Sequence, residues 1–384
     1  MLDSTTEIIS QLLQGTVEAL DIPEELHATA VEEYGYVGNW LADHADIGGD
    51  GWLVYPQGSF LLGTVVRPYG FDHYDLDAVC RRAIAMESTT QAALKADVGG
   101  VLRNYVAARK DDSGGPYGFE ERKRCWTLNY SMPFHLDVLP AIPNPDGLPT
   151  GILLTDKTLH EWQHSDPIAY GKWFKERMAQ EFIAKRISLA KAARTAPEKI
   201  PEAKVKTTLQ LVVQVLKSHR NLFFANDLER RPASILVTTL AAHAYRGERD
   251  LNEAVLEAVE LMPSYIDQDG EAWQVPNPVE PRENFADKWS SDPERATLFF
   301  AWLNQLTVDL NEASERHGLD KVTARLSESF GLESVQKAAG RLGALYLGER
   351  EQGRLRFATS TGVLSGAGAL PVKRHGFYGD SSAG

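Results

Sequence analysis

Asp75 and Asp77 in YDLDAV are two carboxylates one residue apart, a spacing that can do chemistry. On a β-strand, residues i and i+2 point to the same face. The two carboxylates therefore stand side by side, while Leu76 and Ala78 face the other way into a core. Carboxylates that close repel unless positive charge sits between them. A pair of divalent cations resolves the conflict, and hard oxygen ligands suit Mg²⁺, which takes one or two carboxylates together with substrate phosphates. A third carboxylate, Asp137, is bracketed by Leu136 and Val138 in FHLDVLPAI. A polar residue inside an apolar strand needs a reason. If the two strands are neighbours, three carboxylates converge. The ordinary alternative is that Asp-x-Asp marks an exposed strand face or a turn, and the third aspartate weighs against it.

Ahead of the aspartates, Gly58 and Ser59 follow the strand-like WLVYPQ and precede the short apolar FLLG. A glycine lets backbone approach a ligand closely, and the start of a helix offers free N–H groups to an anion. The Ser59 hydroxyl adds a donor. Alone, Gly-Ser before a helix is usually just an N-cap. Beside the aspartates it becomes a phosphate cradle, distinct from a Walker loop because GxxxxGK[ST] is absent. A triphosphate held at Gly58 and Ser59, with its α-phosphate reaching metals on Asp75 and Asp77, makes a coherent nucleotidyl-transfer site.

The elements that must position these groups can be outlined from periodicity. Residues 4–45 read as helices, with a capping signature in STTEIISQLL. Short β-branched and aromatic runs place a sheet between about 50 and 142, with helices after Gly58 and in TTQAALKADVGGVLRNYVAAR. DDSGGPYGFEERKR reads as a turn-rich connection. From about 160 to 350 the pattern is mostly helical, interrupted by the Pro- and Asn-rich QVPNPVEPRENFADKW, read as a loop. The expected organisation is an N-terminal helical segment bracing two lobes (1–48), a catalytic core (49–158), a helical lobe (159–352) and a tail (353–384) whose end is flexible.

Composition narrows the class. The 384 residues suit two packed lobes. A net charge of −13 argues against a protein whose main task is coating nucleic acid. The two cysteines, Cys80 and Cys125, show no CxxC spacing, which excludes a disulfide framework and fits a reducing cytosol. No apolar run suggests a signal peptide or membrane span. The expectation is a cytoplasmic protein without membrane partners.

GSxxxGTxxRP, then DxD, then a third aspartate on a later strand, resembles the polymerase-β-like nucleotidyltransferase superfamily. QGSFLLGTVVRP, FHLDVLPAIPN, LQLVVQVLKSHRNLFF, RPASILVTTLAA, VPNPVEPRENFADKW and HGFYGD are similar to the bacterial cGAS/DncV-like nucleotidyltransferases, the CD-NTases. The resemblance implies an α+β fold: a mixed-sheet nucleotidyltransferase core with flanking helices, joined to a mostly helical C-terminal lobe across a central cleft. It implies antiphage, CBASS-type signalling by a template-independent enzyme that joins NTPs, ATP and/or GTP, into a cyclic di- or trinucleotide and releases pyrophosphate. It implies two Mg²⁺ ions, replaceable by Mn²⁺, on Asp75, Asp77 and Asp137, with triphosphate contacts from Gly58 and Ser59. It carries a helical-lobe lysine and serine onto Lys217 and Ser234. Without it, Lys217 reads as a surface lysine on a core helix and Ser234 as an N-cap. It also implies a separate effector protein that reads the product. Conjugation of the C-terminus by a ubiquitin-like transfer enzyme is compatible with Gly384.

Other features are left with two readings. Segment 172–206 holds ten Lys/Arg against four Glu, a solvated face or the lining of a nucleotide cleft. ERKR at 121–124 has the same ambiguity. His73 shares the face of Asp75 only if that strand extends so far; a loop histidine is the plainer reading. The rivals to a cyclic nucleotide synthase are a nucleotidyltransferase acting on an RNA 3′ end, a protein or a small molecule, and a catalytically silent nucleotide-binding scaffold. Three repelling carboxylates kept together speak against the last.

Overall fold

The computed structural model describes residues 4–44, 51–67, 73–156, 161–270, 272–357, 364–365 and 370–371. Arg67 falls among them, but HGFYGD and Gly384 lie outside them.

The chain begins with helices α1 (Ser4–Leu20) and α2 (Glu24–His44). Strand β1 (Trp52–Gln57) runs straight into the short helix α3 (Gly58–Leu62), followed by β2 (Tyr74–Arg82) and helix α4 (Gln91–Arg109). Strands β3 (Pro116–Glu121), β4 (Trp126–Tyr130), β5 (Phe134–Pro143), β6 (Ile152–Leu154) and β7 (Gln163–Ser165) complete a seven-stranded mixed sheet. Its main path is β1-β2-β5-β4-β3, with β6 and β7 continuing from β5. Only β2 and β5 pair in parallel; the other ladders of this sheet are antiparallel.

The rest is mostly helical: α5 (Pro167–Arg177), α6 (Ala179–Ala192), α7 (Thr208–Phe223), α8 (Ser234–Ala244) and α9 (Leu251–Leu261). Four short strands follow, β8 (Asp267–Asp269), β9 (Ala272–Gln274), β10 (Pro276–Asn277) and β11 (Glu280–Asn284). Helices α10 (Glu294–Ser314), α11 (Leu319–Phe330) and α12 (Leu332–Glu351) close the lobe. Among the described residues, no helix is long and apolar enough to cross a membrane.

Two cores account for the bilobal architecture. On the sheet, alternation sends Leu76, Ala78 and Cys80 of β2, and Phe134, Leu136 and Val138 of β5, onto α2 and α4. On the opposite face, Val79 and Ala141 are buried in a smaller apolar cluster with Ile152 and Leu154, while Asp75, Asp77, His135 and Asp137 line cavities. Around α7, a larger core gathers α1 and helices α8 to α12. Each fully buried Leu or Val there contributes about 1.5–3 kcal/mol. Helix α1 thus packs in the helical core, while α2 covers the sheet.

Two sequence readings are corrected. PYGFEE, read as part of a turn-rich connection, is strand β3 paired with β4. Gly and Pro suggested a turn, but an edge strand tolerates both, and the register shifts between Pro116 and Gly118. QVPNPVEPRENFADKW is not simply a loop: it carries β10 and β11, which pair with each other.

Candidate active site

The parallel ladder between β2 and β5 sets the geometry. Asp75 pairs with His135, and Asp77 pairs with Asp137. All four side chains belong to the face turned away from the apolar core. The sequence left the adjacency of the two strands as a condition; they are neighbours, and the register puts Asp77 and Asp137 directly opposite each other. Ligand atoms of Asp75, His135 and Asp137 lie within 4.8 Å of one another, an arrangement able to hold a metal ion. His135 was missed in the sequence. It sits two residues before Asp137, so the same alternation that exposed the aspartates applied to it.

Asp77 stands slightly apart from that trio and deeper. Burial, followed by the charges of Asp75 and Asp137, raises its pKa well above the usual carboxylate range, with Lys217 opposing. Desolvation leads, and repulsion among neighbouring carboxylates adds to it. His135 is raised, chiefly by its hydrogen bond to Asp75, with Nε2 3.1 Å from Oδ1. Thr127 on β4 donates its hydroxyl to Asp137 Oδ1 and fixes that carboxylate from the third strand. Tyr34 on α2 donates to the backbone carbonyl of Asp77 at 2.8 Å.

Gly58 sits against this cluster. Its φ of 60° lies in the left-handed region, and a Cβ there would collide with the Asp77 carboxylate. The glycine is required twice, by its backbone and by its neighbour. Helix α3 is only five residues long. Its dipole is correspondingly small, so free N–H groups and the Ser59 hydroxyl are what it offers an anion.

The loop after α3 is pinned by the helical lobe. Four consecutive carbonyls accept from four side chains: Leu62 O from Gln210 Nε2 at 2.9 Å, Gly63 O from Lys206 Nζ at 2.9 Å, Thr64 O from Lys217 Nζ at 2.8 Å and Val65 O from Gln214 Nε2 at 2.7 Å. Gln210, Gln214 and Lys217 share one face of α7 by helical spacing. This face joins the lobes directly beneath Gly58 and Ser59.

Lys217 is therefore not a surface lysine: it is buried and lines a cavity of ≈ 230 Å³. Burial, then the charge of Arg220, pushes it down to about 7. Gly58, Ser59, Asp75, Asp77 and Ser234 line the same cavity. Ser234 is the first residue of α8 rather than its N-cap, which is Ala233, and it accepts from Arg220 Nη1 at 3.1 Å. Six of the seven candidate residues thus meet in one cavity. Asp137 opens instead onto an adjoining cavity of ≈ 470 Å³, shared with Asp75, His135, Arg122 and Lys288. The carboxylates stand between the two spaces.

Arg220, Asn221 and Arg231 also line the smaller cavity and were not singled out from sequence. Arg220 and Asn221 lie three and four positions after Lys217, so helical spacing carried the signal for them. Arg231 sits in a turn and carried none. His73 is exposed and precedes β2, which starts at Tyr74. The basic segment 172–206 is largely paired on the surface, as in Lys175–Glu202, Lys185–Glu181 and Lys204–Glu24. It lines neither cavity next to the carboxylates. A cavity of ≈ 810 Å³ lies behind α3 beside α6, with apolar groups such as Phe60, Leu61 and Phe182 and charged ones such as Lys175 and Lys206 in its wall, and without Asp75, Asp77 or Asp137.

The chain is similar to known nucleotidyltransferases. Residues 53–140 match the family described as cyclic GMP-AMP synthase DncV-like, nucleotidyltransferase domain. A c-di-GMP synthase of Roseivirga ehrenbergii is 29% identical over 379 residues, covering 97% of each chain. The cyclic dinucleotide synthase CdnG of Bradyrhizobium diazoefficiens is 27% identical over 372 residues, covering 90% of this chain and 85% of that one. The fold is similar to the structure of the Bradyrhizobium diazoefficiens CD-NTase CdnG in complex with GTP, with a TM-score of 0.69, 23% identity, and coverage of 87% of this chain and 99% of that one.

Proposed function

The chain belongs to the DncV-like nucleotidyltransferase (CD-NTase) family, and from that premise we propose that it is a cyclic dinucleotide synthase that joins two GTP molecules into cyclic di-GMP and releases pyrophosphate. The observation that carries the proposal is the convergence of Asp75, Asp77 and Asp137 between two cavities. GTP is favoured because one relative is named a c-di-GMP synthase and CdnG was solved with GTP.

The donor nucleotide occupies the smaller cavity. Backbone N–H groups at Gly58 and Ser59, the Ser59 hydroxyl, Lys217 and Ser234 hold its triphosphate. The acceptor occupies the larger space on the far side of Asp75 and Asp137, where Arg122 and Lys288 supply positive charge. The donor set fits divalent metal: hard carboxylate oxygens, one of them raised well above its usual pKa by burial and by its carboxylate neighbours. Asp75, Asp77 and Asp137 would hold two Mg²⁺ ions, with Mn²⁺ able to substitute. Once bound, such ions lower the pKa of the acceptor hydroxyl and offset charge on the leaving pyrophosphate. Thr127 keeps the Asp137 carboxylate oriented, and Asp137 faces the acceptor side, where it is placed to take the hydroxyl proton. The linear intermediate then re-enters as donor, and a second transfer closes the ring. By family resemblance alone, the product is read by a separate effector protein in cytoplasmic antiphage signalling.

The test is a nucleotide-omission experiment. Each labelled NTP is supplied singly and in pairs with Mg²⁺, and the products are treated with phosphatase before chromatography. GTP alone is expected to suffice for a phosphatase-resistant product. A requirement for a second nucleotide would replace the homodimeric product with a mixed one.

A further inference from the structure

Two arginines line the donor cavity, and neither forms an ion pair with a carboxylate among the described residues. Arg220 is 4% exposed, yet its guanidinium meets only neutral acceptors: Pro232 O at 2.9 Å and Ser234 Oγ at 3.1 Å from Nη1, and Asn221 Oδ1 at 2.8 Å from Nη2 and 3.3 Å from Nε. Arg231, half-buried, makes no hydrogen bond or ion pair with any described residue. Both line the cavity that holds Gly58, Ser59, Lys217, Asp75 and Asp77. Taking a cation out of water without a partner is costly, and proteins avoid it unless a ligand supplies the charge.

The three cations also oppose one another. Burial pushes Arg220 down to about 9, and the charge of Arg231 adds to it. Burial lowers Arg231, with Asp75 acting the other way. Arg220 in turn lowers Lys217. A structural role explains part of this: Arg220 pins the turn between α7 and α8 through Pro232 and Ser234. It does not explain why the pin is charged, nor why Arg231 points into the same space.

We propose that Arg220 and Arg231 bind the terminal phosphates of the donor NTP and hold the departing pyrophosphate. This rests on reading the cleft as a nucleotidyl-transfer site. In the transfer, the acceptor hydroxyl oxygen forms a bond to the α-phosphorus and loses its proton. The bond from the α-phosphorus to the bridging oxygen breaks, and pyrophosphate leaves with the electron pair. Negative charge grows on that oxygen and its neighbours, where guanidinium groups bind in fixed, forked geometry. Ser234 is then aimed at the same phosphates by its bond from Arg220.

The experiment is isothermal titration of the full chain, in Mg²⁺, with an α,β-nonhydrolysable GTP analogue, inorganic pyrophosphate and GMP. Arg231→Ala is expected to weaken the analogue and pyrophosphate about ten- to a hundredfold. GMP, which lacks the terminal phosphates, keeps its affinity, and the melting temperature does not change. Arg231→Lys recovers part of the loss. Arg220→Lys shows the same split between GTP analogue and GMP, and the Arg231 variants decide alone if it does not fold. An Arg231→Ala protein that binds the analogue like wild type, or loses GMP in equal measure, overturns the inference and leaves the proposed function standing. Wild-type protein that binds neither nucleotide overturns both.

Discussion

Asp77 and Asp137 are direct register partners on the two parallel strands of the sheet. Burial first, and then the like charges that strand pairing holds beside it, raise the Asp77 carboxyl well above its usual range. Asp77→Asn is expected to stabilise the metal-free protein by about 0.5–2 kcal/mol while removing activity. The sign follows from linkage. A carboxyl whose folded pKa is raised favours the folded state below the unfolded value near ~4, and that contribution is lost as pH rises through the folded value. Thermal melts in chelator at pH 8 check this, because wild type should gain stability on adding Mg²⁺ and the variant should not.

Gly58→Ala tests the close approach beside Asp77. The new methyl meets the carboxylate, and the left-handed backbone disfavours any side chain. A loss of about 1–3 kcal/mol in stability is expected, with metal affinity reduced. Titration of Mn²⁺ by calorimetry separates the two effects, since a purely structural glycine would leave affinity intact in the fraction that folds.

The clamp from α7 onto the loop after α3 predicts long-range damage from a residue that need not touch substrate. Gln214→Ala leaves Val65 O without its donor. An unsatisfied buried acceptor costs about 1–3 kcal/mol. KM for the nucleotide should rise more than kcat falls, because the element carrying Gly58 and Ser59 is loosened. Steady-state kinetics that show equal KM values would mean the clamp serves folding only.

Lys217 gives a pH dependence. In the free protein it titrates at about 7, while a bound triphosphate favours its charged form. Nucleotide affinity should therefore fall as pH rises above about 7, by up to about tenfold per unit. Binding at pH 8 should take up a proton, seen as a dependence of the apparent enthalpy on buffer. Lys217→Met should abolish the uptake. A flat affinity between pH 7 and 9 would remove Lys217 from the triphosphate.

Much of this was written in the chain, and the reasons differ by residue. The period of a strand made Asp75, Asp77 and Asp137 legible, because two apolar neighbours leave only one face for a carboxylate. His135 obeyed the same rule, but a lone histidine on a strand carries no signal of its own until the register sets it opposite Asp75. Register was not legible: which aspartate faces which depends on how β5 slides along β2. Strand β3 was hidden by Gly and Pro in an edge position. The clamp was hidden for a different reason. Its acceptors are main-chain carbonyls, which have no sequence, and its donors are two glutamines and two lysines, of which Gln210, Gln214 and Lys217 read as breaks in an apolar helix. Arg231 became visible only when the turn before α8 was folded into the cleft.

The most direct test of the central claim is mass spectrometry of the phosphatase-resistant material made from GTP and Mg²⁺ by wild type and by an Asp75→Asn/Asp77→Asn variant whose folding is verified by circular dichroism. The account predicts cyclic di-GMP from wild type, none with chelator, and none from the variant. The same cyclic product from the folded variant would contradict it, because the chemistry would then not depend on the carboxylates that the two strands bring together.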